Sequence, residues 1–287
     1  MSEQVLAHLS RADAVLGGLI RAVGPCTLEP QADCQPFQTL ARAIAHQQLN
    51  GTAANTILER LVRSCGQGLF PTPEMILAAS VDSLRAAGFS FAKVAALRDL
   101  AGKTLAAVVP DLSTLLELAD EQIIARLTQV RGIGRWTVEM LLMFQLGRPD
   151  VLPVDDFGIR SGFRAAYGLA RLPRPKALAA WGERWRPFRS TAAWYLWRAL
   201  ELHRAGTLPP PAERIRLPRI RKTRRVRRTA RGKRRAARAA PARARAARPA
   251  RPLTRAAVSS APPRRSGGRS RARRPRGPRS RAPVSRR

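Results

Sequence analysis

Apolar residues recur at helical spacing along most of the chain. Between Val5 and about Arg204 they fall three or four positions apart, which places them on one face of an α-helix. The clearest examples are Ile57, Leu58, Leu61 and Val62, and then Val94, Leu97, Leu100 and Leu105. Runs of β-branched residues bounded by turn residues, which would indicate strands, are absent. Proline and glycine divide the pattern into about ten segments of roughly 8 to 16 residues, so the sequence predicts an all-α globule.

Two of the segment starts carry residues that are typical of helix N-termini. Thr72 precedes Pro73, and proline is favoured in the first helical turn because its missing N–H is not needed there. Ser190 precedes an apolar face that begins at Ala192, and serine is a common capping residue. We therefore expect one helix to begin after Thr72 and another after Ser190.

The stretch VRGIGRWTVEMLL, residues 130–142, interrupts the helical pattern with two glycines. Apolar positions up to Leu127 close one predicted helix, and those from Val138 onward continue a second. Because glycine is a poor helix former, Gly132 and Gly134 serve a backbone geometry. Their exposed N–H groups beside a helix N-terminus would suit an anion such as a DNA phosphate. The alternative is a tight helix–helix turn that needs glycine only for a positive φ, and the spacing alone leaves both open.

The composition changes at the C-terminal end of the chain. Phenylalanine, tryptophan and tyrosine are absent after Leu208, so residues 206–287 cannot bury enough apolar surface to fold and are expected to be disordered. Residues 211–287 hold 30 of the 53 lysines and arginines but only one of the 19 acidic residues, and thereby most of the formal net charge of +34. Such a tail is expected to bind nucleic acid nonspecifically, with an affinity that falls as salt rises. A purely solubilising tail is the alternative.

The cysteines and the N-terminus exclude several classes of protein. Cys26, Cys34 and Cys65 are odd in number and lack C-x-x-C spacing, which argues against a disulfide framework, a zinc site or a four-thiolate iron–sulfur cluster. No metal or other cofactor is expected. Charged residues such as Glu3 and Arg11 interrupt the N-terminal apolar run, and no run reaches the ~18 apolar residues of a membrane span. We expect a soluble intracellular protein.

With its surroundings, the two-glycine stretch resembles the helix-hairpin-helix DNA glycosylase superfamily. LTQVRGIGRWTVEMLL looks like the hairpin of that family, and VLPVDDFGIR is similar to the Gly/Pro-rich loop and aspartate that follow it. Three more stretches resemble the alkylation-repair branch, the DNA-3-methyladenine glycosylase II type: LARAIAHQQLNGTAANTI, FPTPEMILAASVDSLRAAGFSFAKVAALRDLA and ERWRPFRSTAAWYLWRAL. Five ordered matches are more specific than a single hairpin. The resemblance implies two helical subdomains with a cleft between them, and a helix-hairpin-helix over about residues 121–146, within a domain of residues 1–205.

The resemblance also implies roles for individual residues. Asp156 matches the catalytic aspartate of the family, and aspartate also suits a helix N-cap at this position. Trp136 stands where bifunctional relatives carry a Schiff-base lysine, so the chain resembles the monofunctional members that use water. The residues that match the phosphate-binding hairpin are Gly132, Ile133, Gly134 and Thr137.

A base-binding pocket and a wedge are implied in the same way. The residues that match the pocket are Trp136, Met140, Phe157 and Trp197. A core role is the alternative for the two tryptophans. Gln48 best matches the residue that fills the gap left by a flipped base, with Leu49 as the alternative. His46 and Gln47 are expected to support that turn.

The function implied by the resemblance is excision of alkylated purines, such as 3-methyladenine and 7-methylguanine, from double-stranded DNA. A carboxylate beside the sugar would stabilise the cationic transition state, and aromatic faces would bind the electron-poor base. A catalytically silent helix-hairpin-helix DNA-binding protein is one alternative, and a glycosylase for deaminated or mismatched bases is another. We expect a monomer that works on DNA in the bacterial cytoplasm, associated with the nucleoid, or in the nucleus of a eukaryote.

Overall fold

A computed structural model describes residues 3–31, 34–211, 215 and 217 of the chain. These residues form thirteen α-helices and one 3-10 turn and contain no β-strand, so the all-α prediction is confirmed. The helices are α1 (Glu3–Ala12), α2 (Ala14–Val23), α3 (Pro36–His46), α4 (Gly51–Cys65), α5 (Pro73–Ala78), α6 (Val81–Ala86), α7 (Phe91–Leu105), α8 (Leu112–Glu117), α9 (Asp120–Leu127), α10 (Arg135–Phe144), α11 (Phe157–Ala166), α12 (Pro175–Gly182) and α13 (Arg189–Arg204). The 3-10 turn is Glu183–Trp185, between α12 and α13.

The helices pack as two groups around one continuous hydrophobic core. Helices α1 and α2 from the start of the chain pack with α11, α12 and α13 from its end, and α11 and α13 share the most extensive contact. In the second group, α3, α5 and α6 pack against α7, and α4 packs against α3. Helix α10 contacts both α9 and α3. This arrangement agrees with the expected two helical subdomains.

The structure contains more helices than the ten or so segments that the sequence pattern indicated. The additional ones are short: α5, α6 and α8 have six residues each, too few to show a full apolar period. Their side-chain caps define them instead, and Thr72 accepts a hydrogen bond from the Met75 amide as predicted. The prediction for Ser190 was wrong. Its hydroxyl bonds the Val151 amide and the Arg148 carbonyl, inside a helix that begins at Arg189.

A buried carboxylate joins the two ends of the folded chain. Asp13 is 3% exposed and caps α2 through the amides of Val15 and Leu16. Its other oxygen accepts hydrogen bonds from three side chains that lie more than 150 residues away. These donors are the Tyr167 hydroxyl at 2.6 Å and the Trp181 and Trp185 indoles at 3.0 Å each.

The folded chain runs a little beyond the last helix. Leu208 and also Ile215 and Leu217 pack against the core. The predicted disorder of residues 206–287 concerns residues that lie, for the most part, outside those described here. None of the described helices is long and apolar enough to cross a membrane.

Candidate active site and DNA interface

A cavity of about 840 Å³ lies between α3, α7 and α10. Its apolar wall is formed by α10, which contributes Trp136, Met140, Leu141 and Phe144. Trp136 is 48% exposed, which is unusual for so large an apolar side chain and leaves ring surface available to a ligand. Among the predicted site residues, those that line this cavity are Gln48, Gly132, Trp136, Thr137 and Met140.

Asp156 lies at the edge of this wall and is held by two indoles. The Trp136 Nε1 donates to its Oδ2 at 2.8 Å, and the Trp197 Nε1 donates to its Oδ1 at 3.0 Å. The Ile159 amide donates to Oδ1 at 2.7 Å, so Asp156 also caps α11, as predicted. Three N–H donors fix the orientation of the carboxylate and stabilise its charge. The two tryptophans therefore do more than offer ring faces, because their N–H groups position an anion.

Glycines on α11 allow Trp197 to reach Asp156. A Cβ atom at Gly162 would lie 1.8 Å from the backbone oxygen of Leu196, so only glycine permits this approach of α11 and α13. A Cβ atom at Gly158 would lie 3.0 Å from both the Trp197 Nε1 and the Asp156 Oδ1. The Trp197 ring then stacks on Phe144, with 5.7 Å between ring centroids. Trp197 thus contacts the cavity wall through Phe144 and does not line the cavity itself.

Phe157 is a second predicted pocket residue that does not line the cavity. It is 65% exposed and is not among the lining residues. The buried face of α11 is set by Ile159, Phe163 and Ala166. Phe157 lies two positions before Ile159, which puts it on the opposite side of the helix.

The two-glycine turn was predicted with nearly correct bounds, since α9 ends at Leu127 and α10 begins at Arg135. Gly132 has φ of +79°, a conformation that favours glycine. Gly134 has φ of −97° and ψ of 170°, which any residue can adopt, and a Cβ atom there would meet nothing within 4 Å. Ile133 is 4% exposed, and its amide donates to the Val130 carbonyl. Its contribution is therefore to the core.

The two-glycine turn is anchored to the neighbouring helices by side chains for which the sequence predicted no role. Asp99 of α7 accepts from the Arg131 amide at 2.7 Å and from the Lys103 ammonium at 2.7 Å. Burial would raise the pKa of Asp99, but these donors outweigh it and hold that pKa below its ordinary value. The Lys103 ammonium also donates to the Gln129 carbonyl. The turn is thus held in place before any ligand binds.

The turn after α3 carries the predicted wedge. Gln48 lines the cavity, is exposed, and has φ of +58°, whereas Leu49 does not line the cavity. Gln47 supports the turn as expected, because its Nε2 donates to the Gly132 carbonyl at 2.8 Å. On the other side the Lys93 ammonium donates to the Ala45 carbonyl at 2.8 Å, and burial lowers the pKa of Lys93. The wedge turn and the two-glycine turn are therefore joined by one hydrogen bond.

A cluster of charged side chains holds the start of α10 against α9. Arg135 bonds Glu121 of α9 and, at 3.0 Å, the buried Glu139 one turn along α10. Burial raises the pKa of Glu139, and the Arg135 guanidinium offsets part of that effect. Since Trp136 follows Arg135 directly, these ion pairs fix the position of α10, whose side chains form the apolar wall of the cavity.

No group of three or more His, Cys, Asp or Glu side chains in the described part of the chain is arranged to hold a metal ion. The three cysteines are free thiols.

Replacing Gly134 by alanine tests whether that glycine serves an external partner. Neither the backbone nor a neighbouring side chain requires glycine there. Gly134→Ala should change the free energy of unfolding by less than about 1 kcal/mol, because the lower entropy of the unfolded chain offsets the poorer N-cap. A methyl group would hinder a phosphate from reaching the turn amides, and duplex DNA affinity should fall roughly tenfold. Fluorescence anisotropy and urea unfolding measure the two effects.

Gly102→Ala is the matched control for that substitution. Gly102 lies inside α7, where an added Cβ atom also meets nothing within 4 Å. This variant should gain stability because alanine is the better helix former, and its DNA affinity should be unchanged. Equal DNA affinities for both variants and the wild type would show that Gly134 faces no phosphate.

Comparison with known proteins identifies a family model that matches this chain and a relative of similar sequence. Residues 41–187 match the family model described as HhH-GPD superfamily base excision DNA repair protein. A Schizosaccharomyces pombe protein named DNA-3-methyladenine glycosylase 1 is 39% identical over 210 residues, which are 70% of this chain and 91% of that protein.

Two solved structures resemble this fold closely. The S. pombe 3-methyladenine DNA glycosylase Mag1, in complex with abasic DNA, is 40% identical with a TM-score of 0.61, and the match covers 68% of this chain and 95% of that one. A DNA-3-methyladenine glycosidase from Bacillus halodurans is 32% identical with a TM-score of 0.64, over 70% of this chain and 91% of the other.

Proposed function

Because the chain belongs to the HhH-GPD superfamily of base excision DNA repair proteins, we propose that it is a monofunctional DNA glycosylase for alkylated purines. It flips the damaged nucleotide out of duplex DNA and hydrolyses the N-glycosidic bond. The observation that carries this proposal is the Asp156 carboxylate, bonded by the Trp136 and Trp197 indoles at the edge of an apolar cavity. The names of the relatives support 3-methyladenine as a substrate.

Asp156 acts on the sugar of the flipped nucleotide. Cleavage of the N-glycosidic bond leaves positive charge on the sugar, and a fixed anion nearby lowers the energy of that transition state. The three N–H donors to the carboxylate hold it in place, so little reorganisation is needed as the charge develops.

The cavity binds the base and the two turns bind the DNA. A base alkylated at N3 or N7 is cationic, and stacking on Trp136 contributes cation–π attraction of ~1 to 2 kcal/mol. Gln48 fills the gap left in the stack, since it is exposed on a turn at the cavity rim. The amides of Gly132 and Gly134, next to the start of α10, together with Thr137, contact a phosphate. No lysine stands at position 136, so the abasic strand is not cleaved.

Release of free base from defined duplexes tests the proposal. Duplex DNA with 3-methyladenine or 7-methylguanine at one position is incubated with the protein, and the products are separated by chromatography. We expect free methylated base and a strand that breaks only after alkali treatment. Absence of free base, or strand cleavage at neutral pH, would contradict the proposal. Parallel duplexes with uracil or hypoxanthine test the deaminated-base alternative.

The basic tail increases binding to undamaged DNA and has no part in the chemistry. Residues 218–287 carry 28 of the 53 lysines and arginines and no acidic residue, and truncation after Leu217 keeps the apolar residues that pack on the core. This truncation should weaken nonspecific binding at least about tenfold at low salt and flatten the dependence of affinity on salt. Anisotropy titrations at several salt concentrations measure both.

Base excision under single-turnover conditions is the companion measurement for the truncated protein. At saturating enzyme its rate should equal that of the full chain, because every proposed catalytic group lies before residue 200. A large loss of that rate would assign the tail a role in the reaction. The protein acts as a monomer wherever the chromosome lies, in the bacterial cytoplasm or in a nucleus.

A further inference from the structure

Gln145, at the end of α10, carries a buried acceptor without a donor. The residue is 4% exposed and lines the 840 Å³ cavity. Its Oε1 atom has no hydrogen-bond partner among the described residues. Four buried side-chain polar atoms of the described residues lack a hydrogen-bond partner, and Gln145 Oε1 is the only one of the four that belongs to a residue lining the cavity. An unsatisfied buried acceptor is unfavourable and calls for an explanation.

The orientation of the Gln145 amide is fixed by its other end. The Nε2 atom donates to the Cys34 carbonyl, so exchanging the two ends of the amide would place two acceptors against each other. The oxygen is therefore left for a partner that brings its own N–H group.

The rest of the wall indicates what that partner is. Trp136, Met140, Leu141 and Phe144 line the same cavity and offer apolar surface to a flat ring. Pockets of this kind fix a ligand's orientation with a few polar groups. Purine bases present exocyclic amino groups as donors and keto oxygens as acceptors. An acceptor in the wall accordingly favours an amino-bearing edge and disfavours a keto oxygen.

We propose that Gln145 Oε1 accepts a hydrogen bond from the exocyclic amino group of the flipped purine. Gln145 is then a specificity residue that selects alkylated adenine or guanine over bases that have lost the amino group. This proposal rests on the proposed function, because it names the group of the flipped base that the same cavity recognises. Burial of the amide keeps water away from the bond and makes it more discriminating.

Three 7-methylated purines, each placed in the same duplex, provide the test. 7-Methyladenine carries its amino group at C6, 7-methylguanine carries it at C2, and 7-methylhypoxanthine carries none. All three are cationic, and each single-turnover excision rate is divided by the rate of spontaneous depurination of the same duplex. With the wild-type protein, 7-methylhypoxanthine should be excised about tenfold more slowly than at least one of the other two on this scale.

Substitutions at position 145 then assign the effect. Gln145→Met keeps the length of the side chain and removes the acceptor, so the tenfold difference should disappear. Gln38→Met is the matched control, because Gln38 lies on α3 and lines a different groove; it should behave as wild type. Thermal unfolding of each variant is recorded alongside.

The outcomes separate this proposal from the broader one. Equal scaled rates for the three bases with the wild-type protein overturn the role of Gln145, whether or not the variants fold. A preference that persists in folded Gln145→Met overturns it as well. If none of the three bases is excised, the proposed function itself is contradicted. The proposed recognition of the amino group by Gln145 is then contradicted as well.

Discussion

Asp156→Asn should lower the single-turnover rate of base excision by at least about a hundredfold, while the protein remains folded. Asparagine is as good an N-cap as aspartate, so the cap of α11 is kept and the free energy of unfolding should change by less than about 1 kcal/mol. The negative charge beside the sugar is lost, and the Trp136 indole, half-exposed at the surface, loses its accepting oxygen. The measurement is release of 7-methylguanine at saturating enzyme, together with urea unfolding.

Asp155→Asn is the matched control, since it makes the same chemical change one position earlier. Asp155 is exposed, and the two indole hydrogen bonds both go to its neighbour. This variant should excise bases at the wild-type rate. Equal activity of wild type, Asp155→Asn and Asp156→Asn would exclude Asp156 from the chemistry.

Asp13→Ala should lower the free energy of unfolding by about 3 to 5 kcal/mol, because each buried donor left without an acceptor costs about 1 to 3 kcal/mol. Alanine would leave the Tyr167 hydroxyl and the Trp181 and Trp185 indoles buried without an acceptor. Burial and the adjacent Asp13 charge raise the pKa of Tyr167 well above its ordinary value, which is consistent with a hydroxyl that serves only as a donor here. Urea unfolding followed by tryptophan fluorescence measures the loss.

Asp111→Ala isolates the capping part of that effect. Asp111 caps α8 through the Thr114 amide, as Asp13 caps α2, but it lies on the surface and bonds no aromatic side chain. Its loss of stability should be clearly smaller. If the two variants lose the same stability, Asp13 acts only as a cap, and the aromatic cluster at the end of the chain holds together without it.

The proposed chemistry depends on how the first and last helices meet. Helices α11 and α13 approach at Gly162 because no side chain stands between them. That approach brings Trp197 onto Asp156, and the Asp13 cluster holds α2 close to the segment between α11 and α13. The buried Asp13 network and the half-buried carboxylate of Asp156 are thus parts of one packed group of helices.

The sequence by itself determined the helices and the local signals at their ends. The all-α class, the bounds of the two-glycine turn, the Thr72 cap and the capping role of Asp156 all depend on residues within a few positions of one another. Apolar periodicity and capping are set by such local geometry, which explains why they could be read from the chain. The predicted cap at Ser190 was wrong because the Ser190 hydroxyl hydrogen-bonds to backbone groups about 40 residues away, at Arg148 and Val151.

Only the tertiary structure decided which side chains meet. The two indoles that hold Asp156 come from 20 positions before it and 41 after it, and no local pattern specifies that Trp136 and Trp197 donate to one carboxylate. The same holds for the orphaned oxygen of Gln145 and for Phe157, which the packing of α11 leaves outside the cavity. Contacts between remote residues follow from how closely whole helices approach, and that depends on the shape of all the side chains between them.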